Sequence, residues 1–177
     1  MIVKMTFKEN SLEYSEMCRQ FDCGNSYINN FLKENSFNNE IAKTFILINE
    51  EVPCIMGFFS LSADSLIEKS NDQKTIELGP AIRIYMFAVD KRYQGYHYHL
   101  SETIASFLLN QCIEVIKKVV EHYIGATFIV LSSTKEGYHF YKKKGDFEEL
   151  EQDMAMLDIL GDNDTIKMYR DIFEDEY

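Results

Sequence analysis

The chain has 177 residues, 46% of them hydrophobic, with 29 acids against 18 bases and a formal net charge of −11. A chain of this length buries roughly 70% of the surface its unfolded form exposes, which suits one domain, at most with an extension, and requires no disulfide or metal staple. Its apolar runs are too short for a bilayer-spanning helix, and its acidic balance disfavours loose binding to nucleic acid.

The charge is unevenly placed. From Glu148 to Tyr177 there are 11 acids and 2 bases, whereas the other 147 residues hold 18 acids and 16 bases. The body is therefore near neutral and the C-terminal part, 148–177, strongly acidic. Lys91-Arg92 and Lys142-Lys143-Lys144 are the candidate local patches for a polyphosphate. Cys18, Cys23, Cys54 and Cys112 form no CxxC pair and no Cys/His zinc spacing, which fits free thiols in a reducing cytoplasm. Met1 to Glu16 is mixed and polar, unlike a secretion leader, and a cytoplasmic location is expected.

In chain order, Tyr27 to Glu40 reads as a helix capped by Asn25 or Ser26, with Tyr27, Ile28, Phe31 and Leu32 on its apolar side. Lys43 to Asn49 reads as a strand and Glu50-Glu51 as a turn. Pro53 to Ala63 is the returning strand of a hairpin, with Gly57 a bulge or close-approach site. Glu68 to Gln73 reads as a loop. Ala81 to Val89 is nearly continuously apolar, the pattern of a central strand buried on both faces.

Leu100 to Tyr123 reads as a long helix, because Leu100, Ile104, Phe107, Leu108, Cys112, Val115, Ile116 and Val119 recur at three- and four-residue spacing. Thr127 to Leu131 is rich in strand formers. Ser133-Thr134-Lys135-Glu136 has the capping-box pattern and predicts a short helix to Lys144, with Gly145 as its C-cap. Phe147 to Leu150 and Thr165 to Ile172 are the late strands. The expected fold is α/β (α+β): a single domain over 1–177 with a mixed, mostly antiparallel central sheet and helices on both faces.

The richest stretch runs from Ile84 to Leu100. An apolar strand ends at Asp90, a polar turn follows, and a helix is expected to begin. A helix's first turn leaves amides unpaired and its dipole favours an anion, so this order makes a phosphate cradle. Two positions where such a loop would carry glycine hold His97 and His99.

Phe87 to Leu100 resembles the acetyl-CoA signature of the Gcn5-related N-acetyltransferases, in which a strand ending in hydrophobic-Ala-Val-Asp precedes Gln/Arg-x-x-Gly-x-Gly/Ala at the start of a long helix. Phe21-Asp22-Cys23-Gly24-Asn25, Gly57-Phe58-Phe59-Ser60-Leu61-Ser62-Ala63 and Phe140-Tyr141-Lys142-Lys143-Lys144-Gly145 resemble, in the same order, the acetyltransferase toxins of bacterial toxin–antitoxin pairs. The likeness covers about residues 21–150.

The resemblance implies acetyl-CoA as co-substrate. It implies that the backbone of Phe87, Ala88 and Val89 pairs with the pantetheine amides as an added strand, one N–H polarising the thioester carbonyl. It implies that Gln94, Gly95, Tyr96, His97, Tyr98, His99 and Leu100 line the pyrophosphate loop, and that Tyr141 is the acid that protonates the leaving thiolate. The acceptor is a primary amine, on a small molecule or a macromolecule. Partners implied are an antitoxin protein and a second copy of the chain. A tRNA acceptor is the lesser option for so acidic a chain, and no membrane partner is expected.

Other readings of the same residues stand beside these. Tyr141 is also a plausible aromatic of a buried helix face. His97 and His99, at i and i+2, are a metal pair without an evident third ligand. Lys142 to Lys144 is a solvated face or a contact for the CoA 3′-phosphate. Asp146 interrupts the family's Gly-Phe step. The alternative function is a catalytically weakened binding or regulatory module with a degenerate pyrophosphate loop.

Overall fold

The computed structural model describes residues 4–37, 39–69, 74–97, the backbone of 98–99, and residues 102–156 and 164–173. The strands are β1 (Met5–Glu9), β2 (Lys43–Asn49), β3 (Cys54–Lys69), β4 (Thr75–Val89), β5 (His97–His99), β6 (Glu102–Thr103), β7 (Phe128–Ser133), β8 (Glu148–Glu149), β9 (Met154–Met156) and β10 (Ile166–Asp171). The α-helices are α1 (Ser15–Gln20), α2 (Ser26–Asn30), α3 (Ile104–His122) and α4 (Lys135–Lys144). Hydrogen bonding links the main sheet in the order β1-β2-β3-β4-β7-β10-β8, with β9 on β3, and β5-β6 stand apart as a hairpin. β4 and β7 run parallel while β1–β2, β2–β3, β3–β9, β7–β10 and β8–β10 run antiparallel, so the expected mixed, mostly antiparallel sheet is present.

The chain divides into two compact units, Met1–Leu61 with Tyr85–Gln111, and Ser62–Ile84 with Cys112–Tyr177. In the first, β2 pairs with β3 from Lys43↔Leu61 to Asn49↔Cys54, and the register shifts between Leu47 and Ile48, opposite Gly57 and Ile55. Successive strand residues face opposite sides. Phe58 packs against Phe21 and Phe31 from the α1–α2 side. Gly57 faces α3, where a Cβ would lie 2.9 Å from Leu108 Cδ2. Helices thus cover both faces of this part of the sheet. Cys18, Leu32, Ile46, Ile55 and Met86 complete the core.

In the second unit, β4 pairs with β7 from Ala81↔Phe128 to Ile84↔Leu131, and among the described residues this parallel ladder ends there. β10 lies along β7 from Ile166↔Ser133 to Asp171↔Phe128. Leu66, Ala81, Val130 and Met156 form its buried cluster.

Two predicted helices are shorter than expected. The helix at Tyr27–Glu40 is α2, capped by the Asn25 side chain at Tyr27 N (3.0 Å) and Ile28 N (3.3 Å), followed by a π-helical turn over Phe31–Asn35. Ser36 ends it by donating Oγ–H to the Leu32 carbonyl at 2.6 Å, a side-chain bond that competes with helix continuation. The long helix begins at Ile104, not Leu100, because Thr103 Oγ1 accepts from Ser106 N at 3.1 Å and supplies the cap. The returning hairpin strand β3 runs on past Ala63 to Lys69, and the central strand β4 begins at Thr75, ahead of the expected Ala81. Glu68 and Lys69, read as loop, are strand, and residues 70–73 lie outside the described residues. β1, α1 and β9 have no counterpart in the sequence reading. No described helix is long and apolar enough to cross a membrane.

Candidate active site

Asp90 closes β4, is 1% exposed, and organises the turn that follows. Its carboxylate accepts from Arg92 N (3.0 Å), Arg92 Nε (2.8 Å), Arg92 Nη2 (2.9 Å) and Asp22 N (3.1 Å). Burial alone would raise this carboxyl, but the Arg92 guanidinium and the two amides outweigh it and hold the group below its usual range. The Asp90 carbonyl in turn accepts from the amides of Tyr93 (2.8 Å) and Gln94 (3.1 Å), and the Tyr96 amide donates to Tyr93 O at 3.1 Å. Gly95 takes φ +72 with open space where a Cβ would stand. This is the left-handed position that a glycine fills without strain.

The Phe21–Asn25 segment is sewn onto this turn. Lys91 N donates to Asp22 O at 2.8 Å, and Lys91 Nζ lies 3.0 Å from Asp22 Oδ2. Asp22 also accepts from Gly24 N and Asn29 Nδ2, both at 2.8 Å. These bonds, the Gly24 amide foremost, lower its carboxyl to about 2. Gln94 Nε2 spends its two protons on the carbonyls of Cys23 and Val89, each at 2.9 Å. Lys91 and Arg92, a candidate polyphosphate patch by sequence, are therefore each paired with a carboxylate.

Of the predicted cofactor strand, Ala88 and Val89 are each 7% exposed and Phe87 is half-buried. Beyond Gln94 the structure departs from the expected turn-to-helix bend. His97–His99 pair with Glu102–Thr103 as a β-hairpin, His97 opposite Thr103 and His99 opposite Glu102. The Ile104 amide donates to the Tyr96 carbonyl at 3.1 Å, so the two ends of the hairpin meet. His97 and His99 thus sit on an excursion between turn and helix, and do not occupy the bend where glycines were expected. The alternating Tyr96-His97-Tyr98-His99 run suits a strand better than a helix entry. His97 is exposed; the side chains of Tyr98 and His99, and Leu100 entirely, lie outside the described residues. Among the described residues no three His, Cys, Asp or Glu side chains gather as metal ligands.

Tyr141 lies in the second unit. Thr134 caps α4, its Oγ1 accepting from Gly137 N at 3.2 Å, one residue later than the Ser133 cap the sequence suggested. A Cβ at Gly137 would crowd Ser133 Oγ at 2.9 Å and would meet Tyr141 Cε2 at an ordinary contact distance of 3.4 Å. The Tyr141 ring meets Phe147 edge-on at 5.9 Å and is 9% exposed. Burial, with the buried Cys112 thiol adding, pushes its phenol well above the ordinary tyrosine value. Gly145 caps the helix as expected, but the left-handed conformation falls on Asp146, φ 52. Lys142, Lys143 and Lys144 are exposed, and Lys142 Nζ lies 5.7 Å over the Tyr138 ring. A pocket of about 350 Å³ lined by Glu34, Asn35, Asn39, Glu40 and Ile41 contains none of the predicted site residues.

The fold has close counterparts among solved structures. One described as a bacterial toxin superposes with a TM-score of 0.71 at 19% identity over 96% of this chain and 92% of its own. AtaTR bound with AcCoA gives 0.66 at 17% identity over 95% and 93%. The spermidine/spermine N-acetyltransferase SpeG from Vibrio cholerae gives 0.56 at 12% identity over 97% and 94%. The chain has the acetyltransferase fold. The resemblance read from the motifs holds at that level over nearly the whole length of each counterpart. No protein-family model and no curated protein matches the sequence.

Sequence reasoning missed the tie between Asp22 and the turn, the double clasp by the Gln94 amide, and the separation of turn from helix. The first two involve partners 68 and 71 residues apart. The hairpin left a local signal: Thr103-x-x-Ser106 is a helix-start pattern.

Proposed function

We propose that the protein transfers the acetyl group of acetyl-CoA to a primary amine by direct attack. The amine nitrogen adds to the thioester carbonyl carbon, the C–S bond breaks, the departing thiolate takes the Tyr141 phenol proton, and the amine's proton leaves to water. The observation that carries this reading is Tyr141 itself: a buried phenol, edge-on to Phe147, on the capped helix after β7, in a chain with an acetyltransferase fold. AtaTR bound with AcCoA supports the choice of donor. In this scheme Phe87, Ala88 and Val89 present backbone to the pantetheine arm. Gly95, Tyr96, His97, Tyr98, His99 and Leu100 flank the diphosphate, while Gln94 and Asp90 fix the turn. The Lys142–Lys144 run is the remaining basic patch for the 3′-phosphate. An antitoxin protein and a second copy of the chain are the proposed partners, and the acceptor is a small or macromolecular amine.

Tyr141→Phe is the test. It lowers kcat by about 10²–10⁴-fold, the usual worth of a general acid, and leaves the acetyl-CoA dissociation constant within about twofold. Equal turnover removes Tyr141 from the chemistry. A second reading, a binding module without turnover, draws on the amides of Gln94 and Tyr96, which are already spent within the turn. Calorimetric titration separates the two: heat of binding at micromolar to millimolar acetyl-CoA is expected, and none at millimolar ligand favours the module.

A further inference from the structure

The scheme above leaves a buried guanidinium without a task. Arg170, at 4% exposure, lies within β10, directly opposite Ile129 of β7 in the antiparallel ladder. Its Nη1 donates to the Gly145 carbonyl at 2.7 Å and its Nε to the Asp171 carbonyl at 3.0 Å. Gly145 closes α4: its amide donates to the Tyr141 carbonyl at 3.0 Å, and the Phe147 amide donates to that same oxygen at 3.3 Å. The path from the guanidinium to the Tyr141 backbone thus passes through one residue. A strand in mid-sheet is a stiff support, and a cation at a helix C-terminus meets carbonyls that have no partner within the helix. Phe147, 1% exposed, holds the Tyr141 ring edge-on, so backbone and ring are fixed from the same end of α4.

We propose that Arg170 is a positioning residue for Tyr141, setting from β10 how far α4 stands along its axis and hence where the phenol hydroxyl lies. This rests on the reading of Tyr141 as the acid that protonates the thiolate. A displaced acid slows proton delivery without touching the nucleotide end of the donor.

The test is a double-mutant cycle on kcat. Arg170→Met, which keeps length and removes every donor, lowers kcat about tenfold and leaves KM for acetyl-CoA within about twofold, and Arg170→Lys restores part of the loss. In the Tyr141→Phe background, Arg170→Met changes kcat by less than about twofold, because the group it positions is gone. An equal loss in both backgrounds, or a folded Arg170→Met enzyme at full kcat, overturns the proposal. Should Arg170→Met fail to fold, Arg170→Lys carries the same cycle. If Tyr141→Phe alone turns over normally, the acid assignment fails instead, and Arg170 is then judged by the crystal structure of Arg170→Met. A Tyr141 hydroxyl displaced relative to β7 sustains the positioning link, and an unmoved α4 and Tyr141 ring end it.

Discussion

Gly57 shows how a single missing Cβ bears on the strand proposed to meet the cofactor. A methyl built there would stand 2.9 Å from the Ala88 carbonyl oxygen and 2.9 Å from Leu108 Cδ2. The leucine can turn away, but the carbonyl belongs to the backbone that the acetyl-transfer scheme uses. Gly57→Ala therefore costs about 1–3 kcal/mol of stability, read by denaturant unfolding, and raises KM for acetyl-CoA more than it lowers kcat. The acid role proposed for Tyr141 carries its own pH dependence. An acid works only while protonated, so an ordinary phenol would lose half its activity near pH 10. Because burial raises the Tyr141 phenol beyond that value, kcat stays level as pH rises through about 10. A steady-state profile with a descending limb centred there would place the phenol in water and contradict the burial.

At the scale of elements, α4 depends on its cap. Thr134→Ala removes the acceptor for Gly137 N and lowers stability by about 1 kcal/mol, seen as a fall in Tm, while Thr134→Ser retains most of it. This helix was legible in the sequence, since a hydroxyl residue before it and Gly145 after it are local signals. β2 was legible to the residue, from Lys43 to Asn49, because a bounded run of strand formers needs no distant partner to declare itself. The β5–β6 hairpin was not. Its first strand, His97–His99, was read as part of the phosphate loop, and its second, Glu102–Thr103, as the first turn of the helix expected from Leu100. Thr103 before Ile104 was a local helix-start signal, but the β5–β6 pairing and the bond from the Ile104 amide to the Tyr96 carbonyl are what show that the chain leaves and returns. Among the proposed site residues, Tyr141 and the residues around Asp90 were readable as types in order. What holds them was not, because Asp22, Cys23 and Arg170 reach their partners across long stretches of sequence.

For the whole molecule, charge decides between acceptors. The net charge is −11, and Lys91 and Arg92 each already face a carboxylate. A nucleic-acid acceptor holding 6–10 phosphates would lose about 10³–10⁵ in affinity between 50 and 200 mM salt. The acceptor KM of this protein is expected to change by less than about tenfold over that range, measured with competing amines as substrates; a steep log–log decline would point to a polyanion.

The clasp made by Gln94 has a consequence for chemical ageing. Both protons of one side-chain amide are committed to main-chain oxygens. Deamidation would leave the shape of that side chain almost unaltered while replacing its donors with an anion facing two carbonyls. A lesion of a single mass unit would thus turn an attraction into a repulsion at the junction between the Phe21–Asn25 segment and the end of β4.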